Sequence, residues 1–142
     1  MSYIFRKVEG KVKESLERQR SVLLIGPRQT GKTTLVNQLS PDHYISLLRP
    51  ETRLRYEHTP SLLEKEVESI AERKQMPLVI IDEVQKIPSM MDLIQYLIDQ
   101  RKAVFILTGS SVRKLKRGSS VNLLPGRLNV IELDPFSIVE LG

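Results

Sequence analysis

Cysteine and tryptophan are both absent from this 142-residue sequence. The missing thiols exclude disulfides, cysteine-based zinc sites and thiol nucleophiles, and they fit a reducing cytoplasm. The two histidines, His43 and His58, lack metal-ligand spacing, so both are interpreted as structural or surface residues. The longest apolar runs, near 78–81 and 103–107, are too short to cross a bilayer. A soluble, cytoplasmic protein of one domain is therefore expected.

Charge and aromatic content give only weak guidance on partners. The net charge is +5, which is compatible with an anionic partner without requiring one. A basic cluster at 113–117 is more typical of a solvated face than of a contact with nucleic acid or an acidic protein. Aromatic residues make up only 5% of the chain, so a base-stacking platform is not indicated.

The most informative stretch is the run GPRQTGKT at 26–33, which fits the phosphate-loop pattern G-x-x-x-x-G-K-[ST]. A strand-type run at 21–25 precedes it and a helix-type segment follows at 34–39. Glycines let backbone N–H groups surround phosphates, and the helix start adds its positive dipole end. An ordinary glycine-rich turn is the disfavoured alternative. The expected nucleotide-binding residues are Gly26, Pro27, Arg28, Gln29, Thr30, Gly31, Lys32, Thr33 and Thr34. Lys32 is expected to reach the β- and γ-phosphates, and the Thr33 hydroxyl to ligate Mg²⁺.

Strand-type and helix-type segments alternate along the chain, which predicts an α/β fold with a parallel sheet and helices on both faces. The predicted strands are 21–25, 44–48, 78–81, 103–107 and 128–133. Helices are predicted at 8–20, after the phosphate loop, after Thr59-Pro60 and after Pro88. Loops or short helices are predicted at 49–55 and 112–127. The pairs Ser61/Glu64 and Ser89/Asp92 are interpreted as helix N-terminal capping patterns.

A second motif follows the apolar run 78–81, where Asp82 and Glu83 end the predicted strand. Ligands of open α/β sheets lie at the carboxyl ends of the strands, so these acids are expected beside the phosphate loop. Asp82 is expected to hold Mg²⁺, directly or through water, and Glu83 to polarise the water that attacks the γ-phosphate. The disfavoured alternative is that both acids merely cap the strand and face solvent.

Two further groups are candidates with open alternatives. Thr108, Ser110 and Ser111 follow strand 103–107 and either orient the attacking water or cap their own turn. Arg127 either neutralises charge on the transferring phosphoryl group, from its own or a neighbouring subunit, or pairs with an acidic surface residue.

Together, five stretches resemble the AAA-type ATPase domain of prokaryotic proteins: 26–35, 81–88, 107–111, 124–127 and 134–140. The resemblance implies ATP binding and hydrolysis, with Lys32, Thr33, Asp82 and Glu83 in the roles given above. It also implies the additional-strand class of phosphate-loop NTPases. The five-stranded order would then be 128–133, 21–25, 103–107, 78–81, 44–48.

The same resemblance suggests what adjoins the domain. In the family, the ATPase domain is usually followed by a C-terminal domain often described as nuclease-like. Residues 1–142 are therefore expected to be one ATPase core domain, with a helical lid and that C-terminal domain missing beyond its end. Leu48, Arg49 and Pro50 depart from the family pattern, because relatives often carry acidic residues there.

Three functions are compared. The first is an ATPase, weak as an isolated domain, that couples hydrolysis to an attached domain or a partner. The second is a nucleotide-operated switch with little turnover. Glu83 favours the first, since a pure switch needs no water-activating carboxylate. A small-molecule kinase is disfavoured, because no acceptor-binding or lid segment is evident.

Overall fold

The computed structural model of the chain describes residues 3–26, 36, 38–110 and 128–132. The helices in these ranges are α1 (Tyr3–Glu17), α2 (Pro50–His58), α3 (Leu62–Ala71) and α4 (Met90–Asp99), and a 3₁₀ turn spans Val84–Lys86. The strands are β1 (Ser21–Ile25), β2 (His43–Ser46), β3 (Leu78–Asp82), β4 (Val104–Gly109) and β5 (Leu128–Glu132).

The five strands form a single parallel sheet in the order β2-β3-β4-β1-β5. This is the predicted order, so the α/β fold class and the additional-strand arrangement are confirmed. Strand β4 separates β1 from β3, with Leu24 opposite Thr108 and Ile81 opposite Leu107. The carboxyl ends of β1, β3 and β4 therefore meet at one edge of the sheet.

The central strands are apolar along their whole length because both of their faces are covered. Alternate residues of β3 and β4 enter two separate hydrophobic clusters. Val79 and Phe105 belong to the larger cluster, with α3 and α4, whereas Ile80 and Ile106 belong to the smaller one, with α1. Parallel strands that are buried on both faces have unbroken apolar runs in their sequence.

Helix α1 covers one face of the sheet with an apolar stripe. Val8 and Val12 are buried there and Leu16 packs against the same cluster. The helix begins at Tyr3 and ends at Glu17, several residues earlier than the predicted 8–20. Two ion pairs with i,i+4 spacing form at its surface, with Lys13 Nζ 3.5 Å from Glu9 and Arg18, just after the helix, 3.3 Å from Glu14.

Strand β2 is the edge strand, as expected, and alternates between a buried Ile45 and an exposed Tyr44. The segment predicted as a loop or short helix at 49–55 is the helix α2, which continues to His58.

Both predicted capping pairs are wrong. Ser61 and Ser89 have right-handed helical backbones and make no side-chain capping hydrogen bond. A capping side chain needs an extended backbone to reach the free N–H groups of the first turn. Each serine lies inside a turn, since Leu62 N donates to Thr59 O and Met91 N donates to Pro88 O. For the same reason α3 begins at Leu62, two residues after Pro60.

Candidate functional site

The candidate site lies where β3 and β4 end side by side. Asp82 is the last residue of β3 and Thr108 the last but one of β4, and both are buried. The Thr108 hydroxyl donates to Asp82 Oδ1 and accepts a 2.9 Å hydrogen bond from the backbone N–H of Glu83. One hydroxyl thus fixes the positions of both acidic residues, and the solvent-facing alternative for them is wrong: each is only 2% exposed.

Glu83 turns the chain sharply after β3. Its backbone is left-handed, with φ 59° and ψ 52°, a conformation that non-glycine residues seldom adopt. Such strain is retained only where surrounding contacts hold it, and it is concentrated at functional sites. Here the Ser110 hydroxyl donates to Glu83 Oε2 over 2.7 Å. Two predicted site residues, Glu83 and Ser110, are therefore brought into contact.

Gln85 is a member of the site to which the sequence analysis gave no role. It lies in the 3₁₀ turn and is 8% exposed. Its amide Nε2 donates to Glu83 Oε2 and, over 3.2 Å, to Ser110 Oγ. Its position two residues after Glu83, within the Asp-Glu-Val-Gln motif, is the sequence feature that could have identified it as a site residue. We refer to Asp82, Glu83, Gln85, Thr108 and Ser110 as the central cluster.

Tyr44 reaches the central cluster from the edge strand and was also missed. Its hydroxyl donates to Asp82 Oδ2 over 3.3 Å. Burial, reinforced by the Asp82 charge and hydrogen bond, raises the pKa of Tyr44 to about 12. The phenol thus stays protonated and able to donate at neutral pH. Its alternating position on an exposed edge gave no sign of this contact.

The donors to Asp82 bear on whether it fits a magnesium site. Both of its oxygens accept from neutral hydroxyl groups, and no Lys or Arg among the described residues forms an ion pair with it. Mg²⁺ prefers hard oxygen ligands and is usually held by one or two carboxylates together with phosphate oxygens. The Asp82 side chain therefore fits a divalent cation that arrives with a nucleotide.

The phosphate loop starts at the same edge. Gly26, its first residue, donates its N–H to Gly109 O over 3.0 Å, at the end of β4. The other predicted nucleotide-binding residues, at 27–34, lie outside the described residues, as do Ser111, Arg127 and the basic cluster at 113–117. The fold thus brings the start of the loop to the central cluster.

In the described part of the chain, cavities occur along β2 and α2. One of about 590 Å³ is lined by Leu48, Arg49, Pro50, Glu51, Thr52 and Arg55. The residues that depart from the family pattern therefore line a pocket that also contains Glu51 and Arg55. His43 is the first residue of β2, and its Nε2 lies 3.2 Å from Glu66 Oε1. His58 is exposed.

In the ranges described here, no helix has the length and apolar character needed to cross a membrane.

The fold and this site define an α/β nucleotide-binding domain of the additional-strand phosphate-loop class. A family model described as an AAA domain matches residues 18–142. The chain belongs to this family and is a nucleotide-binding AAA-type domain.

Two curated relatives are themselves uncharacterised. They are the proteins Mb2031c of Mycobacterium bovis and Rv2008c of Mycobacterium tuberculosis, each 29% identical to this chain over 139 residues. The match covers 96% of this chain but 30% of each relative. The chain thus spans about a third of the length of these relatives.

Proposed function

We propose that this chain binds ATP with Mg²⁺ and hydrolyses the ATP. The observation that supports this most is the central cluster. It holds two buried carboxylates, Asp82 and Glu83, at the end of β3, in contact with hydroxyls at the end of the adjacent strand β4 and beside the first residue of a phosphate loop. Buried charges are costly, and an ordinary domain would place hydrophobic residues at these positions. A site that must handle a metal and a transferring phosphoryl group needs them.

The proposed binding roles follow from residue chemistry. Backbone N–H groups of the loop at 26–34 would surround the phosphates, and Lys32 would add a charge-assisted contact to the β- and γ-phosphates. Thr33 and Asp82 would hold Mg²⁺, which when bound neutralises charge on the phosphate oxygens. Thr108 and Tyr44 donate to Asp82 and so hold its two carboxylate oxygens in place.

The proposed chemistry is attack of water on the γ-phosphorus. Glu83 would accept the water proton while the bond to the ADP oxygen breaks. Ser110 holds the Glu83 carboxylate and lies at the end of β4, where it would also read the γ-phosphate. Arg127 would stabilise the developing negative charge, in its own or a neighbouring subunit; pairing with a surface acid is its alternative role.

A nucleotide-operated switch with slow turnover is the second candidate. Glu83 Oε2 accepts from both Ser110 and Gln85, so this oxygen is already occupied before a water molecule arrives. Slow hydrolysis would suit a domain that reports its nucleotide state. In either case we propose that residues 1–142 are one ATPase core domain of a cytoplasmic protein. The nucleotide state would act on an attached C-terminal domain, or on a nucleic-acid or protein partner met through the 113–117 cluster.

Phosphate release and calorimetric ATP binding test the proposal together. Lys32→Ala should weaken ATP binding roughly 10- to 100-fold, the value of a charge-assisted contact. Lys65→Ala, an exposed lysine on α3, is the matched control and should bind as the wild type does. Unchanged ATP affinity in Lys32→Ala would show that the phosphate-loop assignment is wrong.

Glu83→Gln separates hydrolysis from binding. It keeps the shape of the side chain but removes the base, so ATP should still bind while turnover falls roughly 10²- to 10⁴-fold. Glu68→Gln, on the exposed surface of α3, should change neither quantity. A wild type that binds ATP tightly but turns over no faster than Glu83→Gln would favour the switch.

A further inference from the structure

Gln85 has no assigned role in the hydrolysis step proposed above, although its side chain is buried in the central cluster. Its amide orientation is fixed by its neighbours. Nε2 must face the Glu83 carboxylate, because the opposite orientation would set the amide oxygen against a carboxylate oxygen. The 3.2 Å contact of Nε2 with Ser110 Oγ agrees with this orientation. The carbonyl oxygen, Oε1, therefore points away from Glu83 Oε2.

That carbonyl oxygen is buried and has no hydrogen-bond partner among the described residues. Leaving a buried polar atom without a hydrogen bond is costly, and few native buried groups remain unpaired. A leucine or methionine here would avoid the cost. An unsatisfied acceptor in a catalytic cluster indicates that its donor arrives with the reactants.

The attacking water has the donors that this site requires. It carries two O–H groups, and the mechanism uses one of them to pass a proton to Glu83. The other needs an acceptor in a water-poor site. If both O–H groups are held, a lone pair of the water oxygen points at the phosphorus, and orientation of this kind is a major part of phosphoryl-transfer catalysis.

We propose that Gln85 is a further catalytic residue, whose Oε1 accepts a hydrogen bond from the attacking water while Glu83 accepts the proton that is transferred. This inference rests on the proposed ATP hydrolysis. The water oxygen forms a bond to the γ-phosphorus, and the bond between that phosphorus and the bridging oxygen breaks, leaving its electron pair on ADP. Gln85 neither gains nor loses a proton. Its Nε2 meanwhile keeps the Glu83 carboxylate in place.

Gln85→Met tests this inference, because methionine has a similar volume and no hydrogen-bonding amide. We expect kcat to fall roughly 10- to 100-fold, with KM and calorimetric affinity for ATP within about 3-fold of the wild type. Gln95→Met is the matched control. Gln95 is a buried glutamine on α4 outside the central cluster, so its substitution tests for general loss of packing and should leave kcat unchanged.

A binding measurement distinguishes contact with water from mere support of Glu83. ADP–fluoroaluminate mimics the transition state, with the transferring phosphoryl group and its in-line water, whereas ADP–fluoroberyllate mimics bound ATP. Gln85→Met should lose about 10-fold in affinity for the aluminium complex and keep that for the beryllium complex. Equal losses for both complexes, or none, would overturn the inference.

Gln85→Glu is the second variant and also covers a failure of Gln85→Met to fold. It keeps an acceptor at the same reach but has no N–H to donate to Glu83. If Gln85 contacts the water, kcat of Gln85→Glu should be higher than kcat of Gln85→Met. If Gln85 only supports Glu83, kcat of Gln85→Glu should be the same or lower, and that result would contradict the inference. Absence of ATP hydrolysis in the wild type would overturn the proposed function, and this inference with it. Hydrolysis that is unchanged in Gln85→Met would overturn this inference alone.

Discussion

The central cluster and the β2 edge solve the placement of polar groups in different ways. The β2 edge comprises β2 and α2 with the α3 residue Glu66. There Tyr56 donates to Glu66, whose carboxylate also lies beside His43, and the basic side chains of Arg49 and Arg55 line an open cavity. In the central cluster the carboxylates are buried and are held by hydroxyl and amide donors.

The difference teaches where polar contacts are costly to lose. At an edge, water replaces a lost partner, so exposed ion pairs typically contribute about 0–1 kcal/mol. In a buried cluster, a lost partner leaves the full desolvation penalty of the remaining group. The central cluster should therefore respond steeply to small changes, and the β2 edge weakly.

The largest expected contrast comes from one leucine substitution made next to the central cluster and again at the β2 edge. Leu107→Ala truncates a fully buried side chain of β4 and should lower the free energy of unfolding by roughly 2–5 kcal/mol. Leu54→Ala truncates a side chain of α2 that is 51% exposed, and should cost less than about 1 kcal/mol. Urea denaturation of both variants measures the contrast. Equal costs would mean that the two regions do not differ in packing.

Two hydroxyls that both donate to Asp82 give a sharper comparison. Thr108→Val keeps the side-chain shape but leaves the buried N–H of Glu83 unpaired, which should cost roughly 1–3 kcal/mol. Tyr44→Phe removes a longer, partly exposed contact and should cost less than about 1 kcal/mol. Chemical denaturation measures both costs. A larger loss of unfolding free energy in Tyr44→Phe than in Thr108→Val would contradict the expectation that contacts in the central cluster contribute more.

Alkaline pH should act through the β2 edge. The pKa of Tyr44 is raised to about 12 by burial and by Asp82, and burial together with Glu66 raises the pKa of Tyr56. A raised pKa means that these phenols ionise first in the unfolded chain. Their contribution to stability is thus complete below pH 10 and is lost as the pH rises towards 12. Thermal unfolding from pH 9 to 12 should show a slope that diminishes in Tyr44→Phe and again when Tyr56→Phe is added. An unaltered slope in the double variant would contradict the assignment.

The smallest effect is expected at Asp42, which precedes β2 at the surface. Burial raises its pKa, but the backbone N–H of Leu78, 2.7 Å from Oδ2, and the neighbouring Lys74 more than offset this, so the pKa is lowered. A lowered pKa stabilises the fold above the unfolded-state value of 3.8, and this contribution is lost as the pH falls below it. Lys74→Ala should cost less than about 1 kcal/mol at neutral pH, and less still in high salt. The exposed Lys102→Ala is the control. A cost that salt leaves unchanged would show that the pair is not electrostatic in origin.

Local sequence patterns predicted most of the fold because the spacing of apolar residues reflects which side chains are buried. Unbroken apolar runs identified β3 and β4, and the alternation with helix-type segments predicted a parallel sheet. The strand order was implied by the resemblance rather than by periodicity. The serine caps failed because a capping pattern of four letters does not specify the backbone angles of the serine itself.

The sequence by itself determined which acids end β3 and which hydroxyls end β4, since these residues directly follow apolar runs that must be buried. Only the tertiary structure decided how they meet. The contacts of Thr108 with Asp82 and Glu83 join residues that are 26 and 25 positions apart, and Tyr44 and Asp82 are 38 positions apart. The physical reason is that strand pairing brings distant residues together. Such contacts depend on side-chain direction and distance across neighbouring strands, which no local pattern encodes.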